Sequence, residues 1–221
     1  MDIHIDSKIK SRIPDFKIGA LFYHHIEIGE APQMLKGRFR LYQESLYFDL
    51  EDKEVGSLSG IAEWRDVFKK TGPDPNRYRP SSEALYRRIK KQQFLEPVNS
   101  AVDVNNFFSL KHQVPIGIYD ADKLTGPISI TIGDENASYA ALNGRDVSLS
   151  GKLHSADSSG AFGSPFVDSK RSAAGEQTKN ALQLVYLRPS MEEDEAKEML
   201  QSLSDMFIQV HGGTSEIEVI R

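Results

Sequence analysis

The hydrophobic period of this chain changes once along its length, and that change decides the fold class. Between Ser57 and Lys70, Ile61, Trp64 and Phe68 recur at helical spacing, two lysines close the last turn, and Gly72 stands where a C-terminal cap belongs. Pro80 introduces a second helix, with Ser81 or Ser82 as cap, Glu83 at the positive end of the dipole and Leu85 with Ile89 as the buried stripe. A third, capped by Asn99 or Ser100 and ending near His112, offers Val102, Phe107 and Leu110 to the core. From Ile128 onward the apolar residues alternate in short runs, Ile128 to Ile132, Ser138 to Leu142 and Val147 to Leu149, with the hairpin signal Asn143-Gly144 between the last two. Ala181 to Leu187 reads as a further strand, and Phe16 to Ile28 as an earlier one. Ser190 with Glu193 reads as a capping box before an amphipathic helix bearing Met199, Leu203 and Phe207, followed by a short polar tail. Strands, helices, strands and a last helix make an α+β protein, not a βαβ alternation.

A chain of 221 residues with 39% hydrophobic and 27% charged residues suits one folded domain over residues 1–221. Its 32 acidic against 27 basic residues leave a net charge of −5, which disfavours broad attachment to DNA, RNA or anionic lipid. Any RNA contact then falls to local basic clusters. Without cysteine there are no disulfides, thiolate nucleophiles or cysteine metal sites. No apolar run approaches the roughly 20 residues of a membrane span, and no signal core is present, so a cytoplasmic protein is expected. The six histidines are scattered, and the adjacent His24 and His25 of a strand point to opposite faces, so neither a metal nor a cofactor is expected.

Three segments carry candidate chemistry. Asn105 and Asn106 interrupt the third helix, where asparagine competes for backbone hydrogen bonds and is a mediocre helix former. The segment Asp157 to Phe166 lacks the Lys-Ser/Thr of a phosphate loop and the pattern of a nucleophile elbow. Its bare amides suit a carboxylate, a carbonyl oxygen or a ribose hydroxyl; the alternative is a tight loop packed by Phe162 and Phe166. Arg77 and Arg79 around Tyr78, followed by Arg87, Arg88, Lys90 and Lys91, form a basic cluster suited to phosphates, or simply a solvated helix face.

The order of motifs is similar to a known family. Arg79-Pro80-Ser81-Ser82-Glu83-Ala84-Leu85, then Pro97-Val98-Asn99-Ser100-Ala101-Val102-Asp103-Val104-Asn105-Asn106-Phe107, then Pro115 to Asp120, then the loop around Gly160, resemble the B3/B4 domain of the phenylalanyl-tRNA synthetase β subunit in stand-alone form. The resemblance is strongest over residues 61–189, with N-terminal strands in 1–56 and a C-terminal helix over 190–210 as embellishments. It implies a closed β-barrel-like core with helices packed around it. It also implies an editing module that hydrolyses tyrosine wrongly esterified to the phenylalanine tRNA, with tRNA as partner and no synthetase catalytic core. Carried over by position, Asn106, Ser159 and Gly160 are the catalytic candidates, and Asn105, Gly117 and Gln183 line the substrate pocket. Arg77, Arg79, Arg87 and Arg88 would hold the RNA end. Two positions depart from the family: Gly117 stands at its histidine and Gln183 at its glutamate, which removes a water-positioning group and exchanges a charged acceptor for an amide. His112 and Asp157 are the candidate substitutes. An editing hydrolase, a binding module without catalysis, and a scaffold that reuses the fold are therefore the three functional classes to separate.

Overall fold

Strand alternation sorts the core into two halves on either side of one sheet. In the computed structural model, which describes residues 2–221, one sheet runs β1 (Ile3–Ile5), β4 (Ile128–Ile132), β7 (Leu153–Asp157), β8 (Gly160–Gly163), with β1 parallel to β4 and the other pairs antiparallel. The second, antiparallel throughout, runs β10 (Thr214–Ile220), β2 (Ile18–His24), β9 (Ala181–Tyr186), β3 (Ile116–Asp120). Strands β5 (Ser138–Ala140) and β6 (Asp146–Ser148) form a separate hairpin whose turn carries Gly144 at φ 79°. All six residues of β9 are buried. Its Leu182, Leu184 and Tyr186 face the first sheet and pack with Ile128, Ile130, Leu153 and Phe162, and with Trp64 and Phe68 of α3 (Ser59–Thr71). Its Ala181 and Val185 face the opposite way, toward a layer built from α2 (Gln33–Asp49), α4 (Ser81–Lys90), α5 (Ser100–His112) and α6 (Glu193–His211). Gln183 shares that second face, because side chains alternate along a strand.

The two sheets stack and do not close, which corrects the expectation of a barrel-like core. Closure needs a hydrogen-bonded ladder from the edge of one sheet to the edge of the other. Here β3 ends the second sheet, where Tyr119 meets Ala173 in an isolated bridge, and β8 ends the first. The space between is filled face to face by apolar side chains, as in a sandwich.

Locally, most sequence signals are realised. Gly72 caps α3 at φ 131°, and the Asn99 side chain accepts the Val102 amide at 2.9 Å to start α5. Four details differ. In α4 the buried residues are Ser82, Glu83, Tyr86 and Ile89, so Glu83 lies inside and Leu85 only partly so; Pro80 occupies the cap position and no side chain caps. Ser190 forms no capping box, because its amide and hydroxyl both donate to Glu63, at 2.6 and 2.7 Å. The tail after α6 is a strand, β10, whose Ile217 and Val219 alternate with Glu216 and Glu218. Residues 2–56 hold β1 and β2 but also α1 (Ser7–Arg12) and the 17-residue α2. Apolar residues on both faces of α2, Leu35, Phe39 and Leu46 inside and Met34, Leu41 and Phe48 outside, blur its helical period.

Candidate active site

Between α4, α5 and β3 a cleft of about 220 Å³ opens on the helix-facing side of the second sheet. Leu85, Val102, Ile116 and Ile118 give it an apolar wall, and Asn105, Asn106, Ser109 and Asp168 bring polar groups into it. The sequence dictates which of these are already engaged. Asn105 is buried, and its Oδ1 accepts from Gln183 Nε2, while Gln183 Oε1 accepts from Tyr23 Oη at 2.7 Å. Burial pushes the Tyr23 hydroxyl well above its ordinary pKa, so it stays a neutral donor. Gln183, fully buried, thus anchors α5 to the sheet through Asn105. The Ser109 hydroxyl donates to the Val114 carbonyl at 2.7 Å. Asn106, one residue along α5, is half-buried, and its amide has no hydrogen bond among the described residues.

Asp168 is the acid of the cleft. Its Oδ1 accepts from Tyr119 Oη at 2.7 Å. Burial pushes its carboxyl up to about 6, against the Tyr119 hydrogen bond, which pulls it down. The Tyr119 hydroxyl itself sits where a β-carbon on Gly117 or Gly163 would collide with it. Gly117 therefore lies on the same face of β3 as Tyr119, away from the wall formed by Ile116 and Ile118. Its lack of a side chain is what admits the tyrosine that holds Asp168.

The remaining sequence candidates are placed elsewhere. Ser159 lies in the turn from β7 to β8 and Gly160 opens β8, both outside the cleft lining. Asp157 accepts the Ser159 amide at 2.8 Å, the Thr125 amide at 2.8 Å and Arg171 Nη2 at 2.9 Å, and Arg171 also donates to the Gly160 carbonyl at 3.0 Å. Burial works against the Asp157 carboxylate, yet Arg171 and the two amides hold it below the usual carboxylate range. It is an ion-pair partner. His112, stacked on Phe108, is driven down to about 4 by burial and by the neighbouring Lys111 and Arg188, so it is neutral and lies outside the cleft lining.

The basic cluster is partly a shell around one carboxylate. Glu83, fully buried, receives Arg65 at 2.9 Å and Arg87 at 2.8 Å, with Arg79 at 4.0 Å. Arg77 lies over the Tyr78 ring at 5.4 Å, with the Lys152 ammonium at 4.4 Å. Arg77 and Arg88 are exposed and make no ion pair among the described residues. Helix α4 joins this cluster to the cleft, since Ser81 and Leu85 line it. Asp168 and Tyr119 escaped the sequence reading: Asp168 lies two residues beyond the glycine loop, and Tyr119 is one of several apolar-looking residues of a strand.

The B3/4 domain family matches residues 63–203. The chain is 38% identical over 218 residues to the uncharacterized protein YhzB of Bacillus subtilis, covering 98% of each. It is 28% identical over 104 residues to the phenylalanine–tRNA ligase beta subunit of Rickettsia felis, 47% of this chain but 12% of that subunit. With the same subunit of Bartonella quintana it shares 38% identity over 58 residues, 26% of this chain and 7% of the other. An N-terminal fragment of the phenylalanyl-tRNA synthetase beta subunit from Pyrococcus horikoshii overlays 97% of this chain and 50% of its own, at 15% identity and a TM-score of 0.48.

Proposed function

This chain belongs to the B3/4 domain family, and from that premise we propose that it binds the aminoacylated end of a tRNA and hydrolyses a mischarged aminoacyl ester in the cleft at Asn106 and Asp168. The family match and the partial matches to phenylalanine–tRNA ligase beta subunits support tRNA as the partner, with the phenylalanine tRNA the first candidate. The observation that carries the reading is the carboxyl of Asp168, held by Tyr119 at 2.7 Å beside an unengaged asparagine amide in an apolar-walled cleft.

The chemistry needs few groups, because an aminoacyl ester is already activated. Asp168, ionised above its raised pKa, takes a proton from water as the water oxygen bonds to the ester carbonyl carbon. The Asn106 amide donates to the oxyanion that develops on the carbonyl oxygen. As the ester C–O bond breaks, Asp168 returns the proton to the departing ribose hydroxyl. Gln183 acts at one remove, by fixing Asn105 and hence the pitch of α5. Arg77, Arg79, Arg87 and Arg88 hold the RNA backbone, two of them exposed and without ion pairs, while Ser159 and Gly160 stay outside the chemistry.

The test is deacylation of tyrosine and meta-tyrosine esters of the phenylalanine tRNA by the purified chain. Loss of cleavage in Asp168→Asn and Asn106→Ala, with tRNA still bound, is the expected result. Binding without cleavage by the native chain would establish the non-catalytic module instead, a reading favoured by Gly117 at the histidine position of the family.

A further inference from the structure

A second cavity, of about 460 Å³, lies between α2, the N-terminal part of α5 and the segment that joins α4 to α5, and it shares no lining residue with the cleft at Asn106. Leu35 and Phe39 of α2, with Phe94 and Leu95 of the joining segment, give it apolar walls. Gln43 fastens that segment in place: its buried amide donates to the Leu95 carbonyl at 3.3 Å and accepts the Leu95 amide at 2.7 Å. The walls are therefore built into the fold, and the volume is that of a small-molecule site.

Asp103 supplies a group the fold does not explain. It lines the cavity and is 2% exposed; its Oδ1 accepts the Val98 amide at 3.0 Å, whereas Oδ2 is buried with no partner among the described residues. Burial raises its pKa, and the Val98 amide and the Lys36 charge draw it back. A buried acceptor left unpaired destabilises the empty chain, so one at the wall of a cavity calls for a donor from outside the chain. The adjoining residues Glu96 to Val98 are exposed and in neither helix nor strand, so they can give by the small amount a bound group requires.

Two cations line the same cavity with donors to spare. Lys36 donates to Glu30, and Arg40 donates to Glu44 through Nε at 3.0 Å. The remaining ammonium protons of Lys36 and both Nη groups of Arg40 are unused among the described residues. Gly37, next to Lys36, leaves the rim open, since a β-carbon there would meet nothing within 4 Å. With Glu96 and Asp103 against Lys36 and Arg40, the charged lining sums to zero, which suits a zwitterion better than a net anion or a net cation.

We propose that this cavity binds a free α-amino acid with a large apolar side chain. Its ammonium donates to Asp103 Oδ2, its carboxylate accepts from Lys36 and Arg40, and its side chain lies against Leu35, Phe39 and Phe94. The site is separate from ester hydrolysis and stands whether or not the chain cleaves a tRNA ester.

Isothermal titration calorimetry of the full chain with L-phenylalanine tests it. A Kd of about 0.05–2 mM is expected for a ligand of this size. Phenethylamine, which lacks the carboxylate, and hydrocinnamate, which lacks the ammonium, should each bind about tenfold more weakly or less, and they probe the site without any substitution. Asp103→Asn should lose about tenfold or more in affinity at an unchanged melting temperature, because the amide oxygen of the variant still accepts from Val98. Lys36→Met should lose a similar factor, and Asn106→Ala should bind as the native chain does. No binding of L-phenylalanine at about 10 mM would overturn the proposal. So would analogues that bind as well as the amino acid, native affinity in Asp103→Asn, or loss of binding in Asn106→Ala, which would place the amino acid in the other cleft.

Discussion

The turn at Ser159-Gly160 and the cleft at Asn106 are made from the same kinds of group: small residues, backbone amides and one aspartate. They end in opposite states. In the turn, Asp157 collects Arg171 and the amides of Thr125 and Ser159, and the Gly160 carbonyl accepts from the same arginine, so its polar groups are spent on holding β7 to β8. Around the cleft the Tyr23–Gln183–Asn105 chain and Ser109 are spent and Asp168 accepts from Tyr119, while the Asn106 amide has no hydrogen bond among the described residues. The pKa directions record the difference: the same residue type is lowered where partners surround it and raised to about 6 where apolar walls do. A glycine-rich loop attracts attention in a sequence, but chemistry belongs where polar groups remain unspent.

Substitutions in the two regions should separate along that line. The largest effect is expected from Asp168→Asn, which removes the general base and lowers the deacylation rate by about 10²–10⁴-fold. The same change should stabilise the fold above pH 6. The folded-state pKa of Asp168 is raised, so its ionisation opposes folding progressively as pH climbs from the usual carboxylate range through about 6. A neutral amide removes that cost, about 1–3 kcal/mol after allowing for partial exposure, measurable by urea unfolding at pH 7.5 against pH 4.5. Asn106→Ala should lower deacylation by about 10²–10³-fold with tRNA affinity unchanged by filter binding.

Gly117→Ala puts a methyl group into the space of the Tyr119 hydroxyl. About 1–3 kcal/mol of stability and part of the rate should be lost together, measured by urea unfolding and by deacylation. Arg171→Ala, in the turn, should cost about 1–3 kcal/mol by leaving the buried Asp157 unpaired, yet leave the rate constant of cleavage unchanged; a rate loss comparable to that of Asn106→Ala would move the chemistry to the turn. The smallest effect is expected from the RNA face: Arg87→Ala with Arg88→Ala should flatten the salt dependence of tRNA binding by about one unit of slope, less than two free arginines would give, because Arg87 is already paired to Glu83.

Helix α3 and strand β4 were legible because single-face burial leaves a clean period, α5 because the Asn99 cap marks its start, and β9 because burial on both faces leaves a continuous apolar run. Helix α2 was not, since an outer apolar stripe at positions 34, 41 and 48 overlies the inner one and cancels the amphipathic contrast. Strand β10 was readable in principle, as Thr-Ser-Glu-Ile-Glu-Val-Ile alternates, but its charges read equally well as a tail. The stacking of two open sheets in place of a barrel depends on which edges pair, and no residue pattern states that. In the site, the helix signal led to Asn105 and Asn106 directly. Asp168 did not announce itself, because an aspartate in a polar stretch acquires its raised pKa only from the walls that tertiary structure brings around it.

Single-turnover deacylation of mischarged phenylalanine tRNA, followed from pH 5 to pH 8 with native chain and Asp168→Asn side by side, tests the central claim most directly. After subtraction of the uncatalysed rate, the native chain should give a rate that rises through about pH 6 and levels above it, and Asp168→Asn should give none of that rise. Cleavage by the variant at the native rate, or no cleavage by the native chain while tRNA remains bound, would contradict it.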